Sequence, residues 1–355
     1  MTAVASLPPW LEPALARGLA MPGHALLLHA SGSLGQLELA LAMAHSALCE
    51  TPTPDGRACG RCAACHLLAS RTHPDLRELV PDAIGLRLGW LVAAEEGGEG
   101  GTKSKAKPSR DIKVDAVRAA IDWAQRTSAR GRAKVLVIHP AEAMNETAAN
   151  ALLKTLEEPP GRLRLLLTAS DPEALLPTVR SRCQCLPVAM PAAAQAVAWL
   201  ESAGVAQAGP LLAAAGGLPH AALALHEEGI DAGSWARVPA WARNGQTAGL
   251  TGWPVARVVE ALHKLCHDLM RLAAGGEPRY FDAASLAPAI RPSLPPMSSL
   301  TAWECELLRA ARHDEHPWHA PLRAEALMAQ AAALWQTARP GQPGTGRPLD
   351  TLPGR

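Results

Sequence analysis

Four cysteines in one polar segment, Cys49-x9-Cys59-x2-Cys62-x2-Cys65, carry the sharpest chemical signal in the sequence. Three of them at two-residue gaps bring their sulfurs together on a tight knuckle, and the fourth returns from the end of the preceding helical stretch. Four thiolates so placed can close a tetrahedral site with no open position, the donor set of a structural zinc. Other chemistries compete for the same spacing. Short cysteine gaps serve iron–sulfur clusters, but the usual last cysteine followed by proline is missing. Cys62-Ala63-Ala64-Cys65-His66 matches the c-haem attachment pattern, yet the opening MTAVASLPPWLEP has no basic leader before an apolar run. Four unliganded thiols remain the bland alternative, disfavoured because the cysteines concentrate in one polar stretch. Cys183, Cys185, Cys266 and Cys305 are scattered in apolar contexts and read as buried thiols.

A second constellation is notable for what it lacks. A phosphate-binding loop reads G-x-x-x-x-G-K-[ST]: backbone N–H groups cradle phosphate, the lysine neutralises it and the hydroxyl holds Mg²⁺. The corresponding stretch here is Ala30-Ser31-Gly32-Ser33-Leu34-Gly35-Gln36-Leu37. Ala30 replaces the first glycine, Gln36 the lysine and Leu37 the hydroxyl residue, so only Gly35 of the motif survives. After the apolar run Val135–Ile138, where an Asp and a Glu would position Mg²⁺ and activate water, stand His139 and Pro140. Neither cation nor Mg²⁺ ligand is in place, so no ATP of its own is expected for this chain.

The elements that position these residues follow from periodicity. His24–Ala30 is a short apolar run, and Gln36–Leu48 carries a helical stripe of Leu37, Leu41, Ala44 and Leu48. Val114, Val117, Ile121 and Ala124 share a helical face. Val135–Ile138 and Leu163–Thr168 read as buried strands, and Asn145–Glu158 as a helix stopped by Pro159-Pro160-Gly161. Strands alternating with helices predict an α/β domain with a parallel sheet. After residue 188 the strand signal disappears. Short helices over Ala192–Ser202, Pro210–Ala215 and Pro219–Glu227 precede longer amphipathic ones over Trp253–Leu272, around Ser298–Arg312 and over Pro321–Thr337. The expected division is an α/β domain over 1–187, a small helical domain over 188–245, a C-terminal helical domain over 246–340 and a flexible tail over 341–355. Residues 82–110, with Gly/Glu runs and Lys103, Lys105 and Lys107, read as a flexible insertion.

Composition narrows the function classes. In 355 residues, Lys+Arg is 34 and Asp+Glu 33, a net charge of +1 that argues against a basic nucleic-acid coat. Hydrophobic residues at 48% and charged residues at 19% describe a globular chain. Residues 183–200 carry no charge, but Gln184, Pro187, Pro191 and Gln195 interrupt them, so no membrane span is expected and a cytoplasmic location is the default. His263 and His267, four apart, lack an acidic third ligand and read as packing or solvent-exposed residues, as do His313, His316 and His319.

Three segments carry a family resemblance. Asn150-Ala151-Leu152-Leu153-Lys154-Thr155-Leu156-Glu157-Glu158-Pro159-Pro160 closely resembles the helix after the second nucleotide-binding strand of clamp-loader ATPases. Arg180-Ser181-Arg182-Cys183 looks like the SRC motif of the same AAA+ family, and Thr72-His73-Pro74-Asp75 after the cysteines fits it as well. Leu262–Phe281 and His316-Pro317-Trp318 are similar to segments of the family's collar domain. The nine-residue cysteine gap is one longer than usual in the family, and the 82–110 insertion is longer than expected.

The resemblance implies an AAA+ domain with a zinc module, a helical lid and a helical collar. It also implies a place in a hetero-oligomeric five-membered ring with gamma/tau and delta subunits. That ring opens a sliding clamp and places it on primed DNA as an accessory of the replicative DNA polymerase. The degenerate loop fits a non-hydrolysing stator, with Arg182 reaching across as an arginine finger to a neighbour's ATP. A motor subunit of gamma/tau type is the alternative, and a zinc-dependent nucleic-acid-binding module a more distant one. Thr168 and Ser170 stand where family members sense phosphate. A structural hydrogen bond is the expected role here. His220, in Gly217-Leu218-Pro219-His220, stands where the family places a nucleotide-contacting arginine. Lys154 lies on the helix that borders the ring's interior in related loaders.

Overall fold

The computed structural model describes residues 7–91, 108–291, 293–312 and 320–337. The Lys103–Lys107 run, His313, His316, His319, the His316–Trp318 segment and the expected tail lie outside the described residues. Along the chain come α1 (Glu12–Ala20), β1 (Ala25–His29), α2 (Gln36–Leu48), α3 (Ala63–Ala69), β2 (Leu76–Leu79), α4 (Asp82–Arg87), α5 (Val114–Gln125), β3 (Lys134–Ile138), α6 (Glu146–Glu157), β4 (Leu163–Ala169), α7 (Pro177–Arg180) and β5 (Gln184–Pro187). The strands form one parallel five-stranded sheet in the order β2-β3-β4-β1-β5.

Period-two alternation divides the core between the two faces of this sheet. Leu27, Leu136, Ile138, Leu165 and Leu167 pack with Val117, Ala120 and Ala124 of α5 and Ala148, Leu152 and Leu156 of α6. Leu26, Leu28, Val135, Val137 and Leu166 pack on the other side with Leu15 of α1 and Leu37, Ala40, Ala44 and Leu48 of α2. Burial on both faces explains the unbroken apolar runs of β1 and β3. Each such leucine contributes about 2 kcal/mol by leaving water. Asn145 starts α6 by accepting the Ala148 N–H at 2.9 Å, an ordinary N-cap.

The helical remainder comprises α8 (Ala193–Ser202), α9 (Ala208–Ala214), α10 (Pro219–Glu227), α11 (Ala232–Asn244), α12 (Val255–Ala273), α13 (Ala283–Ile290), α14 (Met297–Arg312) and α15 (Ala320–Thr337). In it α12 packs on α14, and α11 packs on α13 and α15. Asp268 is fully buried on α12 and accepts the backbone N–H groups of Arg279, Tyr280 and Phe281 at 2.8–3.0 Å. That anchor places Phe281 flat on Trp235, with ring centroids 5.1 Å apart.

Packing divides the chain into two compact units: Met1–Trp199 with Leu218–His220, and Leu200–Gly217 with Ala221–Arg355. One limit of this division falls inside α8, and α11 packs on the C-terminal helices α13 and α15. The expected insertion is corrected at its start, where Asp82–Arg87 form a helix. Residues 184–187 of the uncharged stretch are a strand, and no single helix among the described residues is long and apolar enough to cross a membrane. Cys266 is buried as expected and Cys183 partly so. Cys185 and Cys305 are exposed, against expectation: Cys185 lies on the edge strand β5, and Cys305 on an outward face of α14.

Candidate functional site

The loop between β1 and α2 is closed by its own residues. Gln36, the first residue of α2, is only 4% exposed. Its Nε2 donates to the carbonyls of Gly32 at 2.7 Å and Ala169 at 3.3 Å, while its Oε1 accepts the Leu34 N–H at 2.8 Å. The amide therefore occupies the loop's interior and consumes a backbone donor. Trp10 Nε1 donates to the Leu34 carbonyl at 2.8 Å. Gly35 sits at φ +94, and a Cβ there would lie 2.8 Å from Leu11 and 2.9 Å from His220. Gly32, at φ +87, leaves room for Leu218, 2.7 Å from where its Cβ would be. Both glycines serve the left-handed backbone and the close approach of these side chains.

At the end of β3, His139 Nδ1 lies 2.7 Å from the hydroxyl of Thr168, a fully buried residue on β4. Burial pushes the His139 ring down to about 4, with Glu38 opposing weakly, so the imidazole is neutral near pH 7. A neutral, internally bonded ring supplies no charge for a divalent cation. Thr168 thus makes the structural hydrogen bond expected of it. Ser170 donates its N–H to Glu142 at 2.7 Å. His220 lies 3.4 Å from the Glu38 carboxylate and packs on Trp199, 5.1 Å between centroids.

The four cysteines converge. Cys49 ends α2, Cys59 and Cys62 lie on the following loop, and Cys65 is in the first turn of α3. Their sulfurs all lie within 4.8 Å of one another, with Cys49 to Cys62 at 3.8 Å and Cys59 to Cys65 at 4.0 Å. Tetrahedral zinc with bonds of about 2.3 Å requires sulfur separations of about 3.8 Å, so this set can hold a metal ion. N–H groups of Cys59 and Cys65 point at the sulfurs of Cys49 and Cys62 at 3.2 and 3.4 Å. The Thr51 hydroxyl, 3.2 Å from Cys59, draws that thiol down to about 5. Burial, with Cys62 beside it, pushes Cys65 up to about 12. Among the described residues this is the one cluster of His, Cys, Asp or Glu able to hold a metal, and His263 and His267 are not in it. His263 faces Glu304 at 2.6 Å and His267 faces Asp268 at 3.1 Å.

Arg182 lies between α7 and β5. Its Nε donates to Glu157 Oε1 at 2.7 Å, and its terminal nitrogens reach Glu157 and, at 2.8 Å, the Thr178 carbonyl. Arg180 pairs separately with Glu173 at 2.5 Å. Lys154 is exposed on α6.

Asp75 escaped notice as more than part of a motif. It is 1% exposed, and its carboxylate accepts the Ser128 hydroxyl at 3.0 Å and the N–H groups of Ala129 and Arg130 at 2.8 and 3.0 Å. The 128–130 turn so fixed places Arg130 Nε 2.9 Å from Glu50, the residue after Cys49. The buried Asp thereby braces the cysteine module through Arg130. Its one sequence signal was its place in the Thr72-His73-Pro74-Asp75 motif.

Comparison with known proteins gives a consistent picture. The sequence profile of the family described as "DNA polymerase III, delta subunit" matches residues 17–191. A protein of Pseudomonas aeruginosa named DNA polymerase III subunit delta' is 37% identical over 233 residues, 64% of this chain and 63% of its own. The Escherichia coli protein of the same name is 34% identical over 62% of this chain and 60% of its own. An Escherichia coli DNA polymerase III subunit tau is 31% identical over 48% of this chain and 22% of its own. The chain thus spans under two thirds of the length of the delta' relatives it matches.

Proposed function

From the match of residues 17–191 to the DNA polymerase III delta subunit family and the 34–37% identity to proteins named subunit delta', we propose that this chain is a non-hydrolysing stator subunit of a clamp loader. It acts in a hetero-oligomeric ring with gamma/tau-type and delta subunits that loads a sliding clamp onto primed DNA. The observation that carries the reading is Gln36. Its amide is spent inside the loop, on Gly32, Ala169 and Leu34, where a nucleotide-binding relative needs a lysine free to meet phosphate. His139, neutral and bonded to Thr168, adds to this at the cation position.

In this reading Arg182 is the trans-acting arginine finger that stabilises charge on the phosphoryl group of a neighbour's ATP. It leaves Glu157 to do so. The cysteine set of Cys49, Cys59, Cys62 and Cys65 holds a structural zinc, which ties the loop after α2 to α3. Residues 188–245 supply the lid, except that α11 packs with the C-terminal helices, and residues 246–340 the collar.

The test is binding of a fluorescent ATP analogue with Mg²⁺ to the purified chain. No saturable binding up to millimolar nucleotide is expected. Micromolar binding would overturn the stator reading in favour of an ATP-hydrolysing gamma/tau-type motor, the reading to which the likeness to subunit tau lends its weight.

A further inference from the structure

The end of the sheet opposite the closed loop carries a cluster of cations, Arg126, Lys134 and Arg162, that make no ion pair among the described residues. Lys134, the first residue of β3, is 6% exposed, and its Nζ donates to the Trp123 carbonyl at 2.6 Å and lies 4.4 Å from the Trp123 ring centre. No carboxylate lies within 4 Å of it among the described residues. Burial pulls its pKa down, with the charge of Asp75 partly offsetting this. Asp75 itself is committed to the 128–130 turn. A buried ammonium without a carboxylate is costly, and an anion nearby would relieve it.

That ammonium borders a cleft of about 130 Å³ between the end of α5 and the Pro160–Leu163 turn. Arg126 and Arg162 line the same cleft with Thr127 and Ser128, and no acidic residue does. Neither arginine has an ion pair among the described residues. The volume suits a single tetrahedral oxyanion. Across the same strand edge, Arg132 and Arg164 line a second hollow of about 540 Å³. There the acidic residue, Asp55, is already bound to Arg57 at 2.7 Å and to the Thr53 hydroxyl at 2.5 Å. Strand register explains the arrangement. Val135 is level with Arg164, so residues 132–134 and 162–164 converge at the N-terminal ends of neighbouring strands, with side chains alternating between the two faces.

We infer that Arg126, Lys134 and Arg162 form a phosphate-binding cleft at the N-terminal ends of β3 and β4, separate from the degenerate nucleotide loop at the strands' other end. The ligand is a phosphate group. It comes either from a free phosphate or from the backbone of a nucleic acid, whose repeated charges would also engage Arg132 and Arg164. This inference stands whether or not the chain is a stator.

The test uses the full chain, inorganic phosphate by calorimetry, and a fluorescein-labelled 30-mer of single-stranded DNA by anisotropy between 50 and 300 mM salt. The variant is Arg126→Ala/Arg162→Ala, two side chains at the rim. Arg118→Ala/Arg309→Ala, on exposed helix faces elsewhere, controls for net charge. If the backbone is the source, the rim variant weakens DNA binding at least about tenfold and its salt slope becomes shallower by about 1.4, the value for two lost contacts. The control changes neither. If free phosphate is the source, the wild type binds inorganic phosphate at sub-millimolar concentration and the rim variant does not. No binding of either probe, or equal loss in rim variant and control, overturns the inference. Unchanged melting of both variants confirms that the fold is intact.

Discussion

Arg182 and Glu157 join the turn before β5 to the end of α6, with Nε and Oε1 2.7 Å apart. The guanidinium is half-buried and also holds the Thr178 carbonyl, so its direction is fixed by two elements at once. A side chain that must meet a group on another molecule is best presented from such a braced position. The pair is also a competitor: the same donors cannot serve Glu157 and a foreign phosphate together.

Arg182→Ala is therefore expected to leave ring assembly intact and to slow ATP turnover at the adjoining site, by on the order of 10³. Steady-state hydrolysis by the reconstituted complex, with assembly checked by gel filtration, measures this. Normal turnover by an assembled variant removes Arg182 from the role. Glu157→Gln weakens the competing pair and is expected to leave turnover equal or faster.

His139 makes stability depend on pH in a defined direction. Its pKa is about 4 in the folded chain and near 6.5 when unfolded. The neutral ring's contribution is complete above pH 6.5 and is lost as pH falls towards 4, by about 3 kcal/mol over that window. Urea unfolding of the wild type and His139→Gln at pH 7 and pH 4.5 tests this. The difference between the two proteins should shift in the variant's favour at the lower pH.

The cysteine set should hold close to one zinc per chain by elemental analysis. Ligand thiols must lose their protons to bind metal, so occupancy falls as pH falls. Chelation should open residues 49–65 to protease while leaving the sheet domain folded. Cys62→Ser should reproduce that sensitivity without chelator. Carefully purified protein with well under one metal per chain would falsify the assignment.

Asp75→Ala deletes an acceptor buried against three donors, and about 3 kcal/mol of stability should be lost. Because Arg130 then loses its fixed turn, the same variant should release zinc faster to a chromogenic chelator. A stability loss with unchanged zinc release would confine Asp75 to the sheet domain.

The sequence showed some of this architecture directly and hid the rest for physical reasons. The start of α2 at Gln36 was legible because Gly35 breaks the backbone where a helical stripe begins. β3 and β4 were legible because burial on both faces leaves an unbroken apolar run. β2 was not: it is an edge strand, and Arg77 and Glu78 interrupt its pattern. α11 was hidden by Gly233 and by Pro239, which is tolerated inside the helix and buried there. Cysteine spacing foretold convergence of the four sulfurs, but nothing local linked Asp75 to Arg130. Gln36 could be read as the loss of a lysine. That its amide fills the loop needed Gly32 and Ala169 to be placed beside it.

The self-contained bonding of Gln36 has a consequence for how the chain reports on its surroundings. Each bond in that loop is made by groups of the polypeptide itself. On the proposed stator reading, its conformation would not vary with the cell's ratio of ATP to ADP or with free magnesium. In an assembly whose other members change with nucleotide, such a protomer would keep one geometry through every turnover and give their excursions a constant origin.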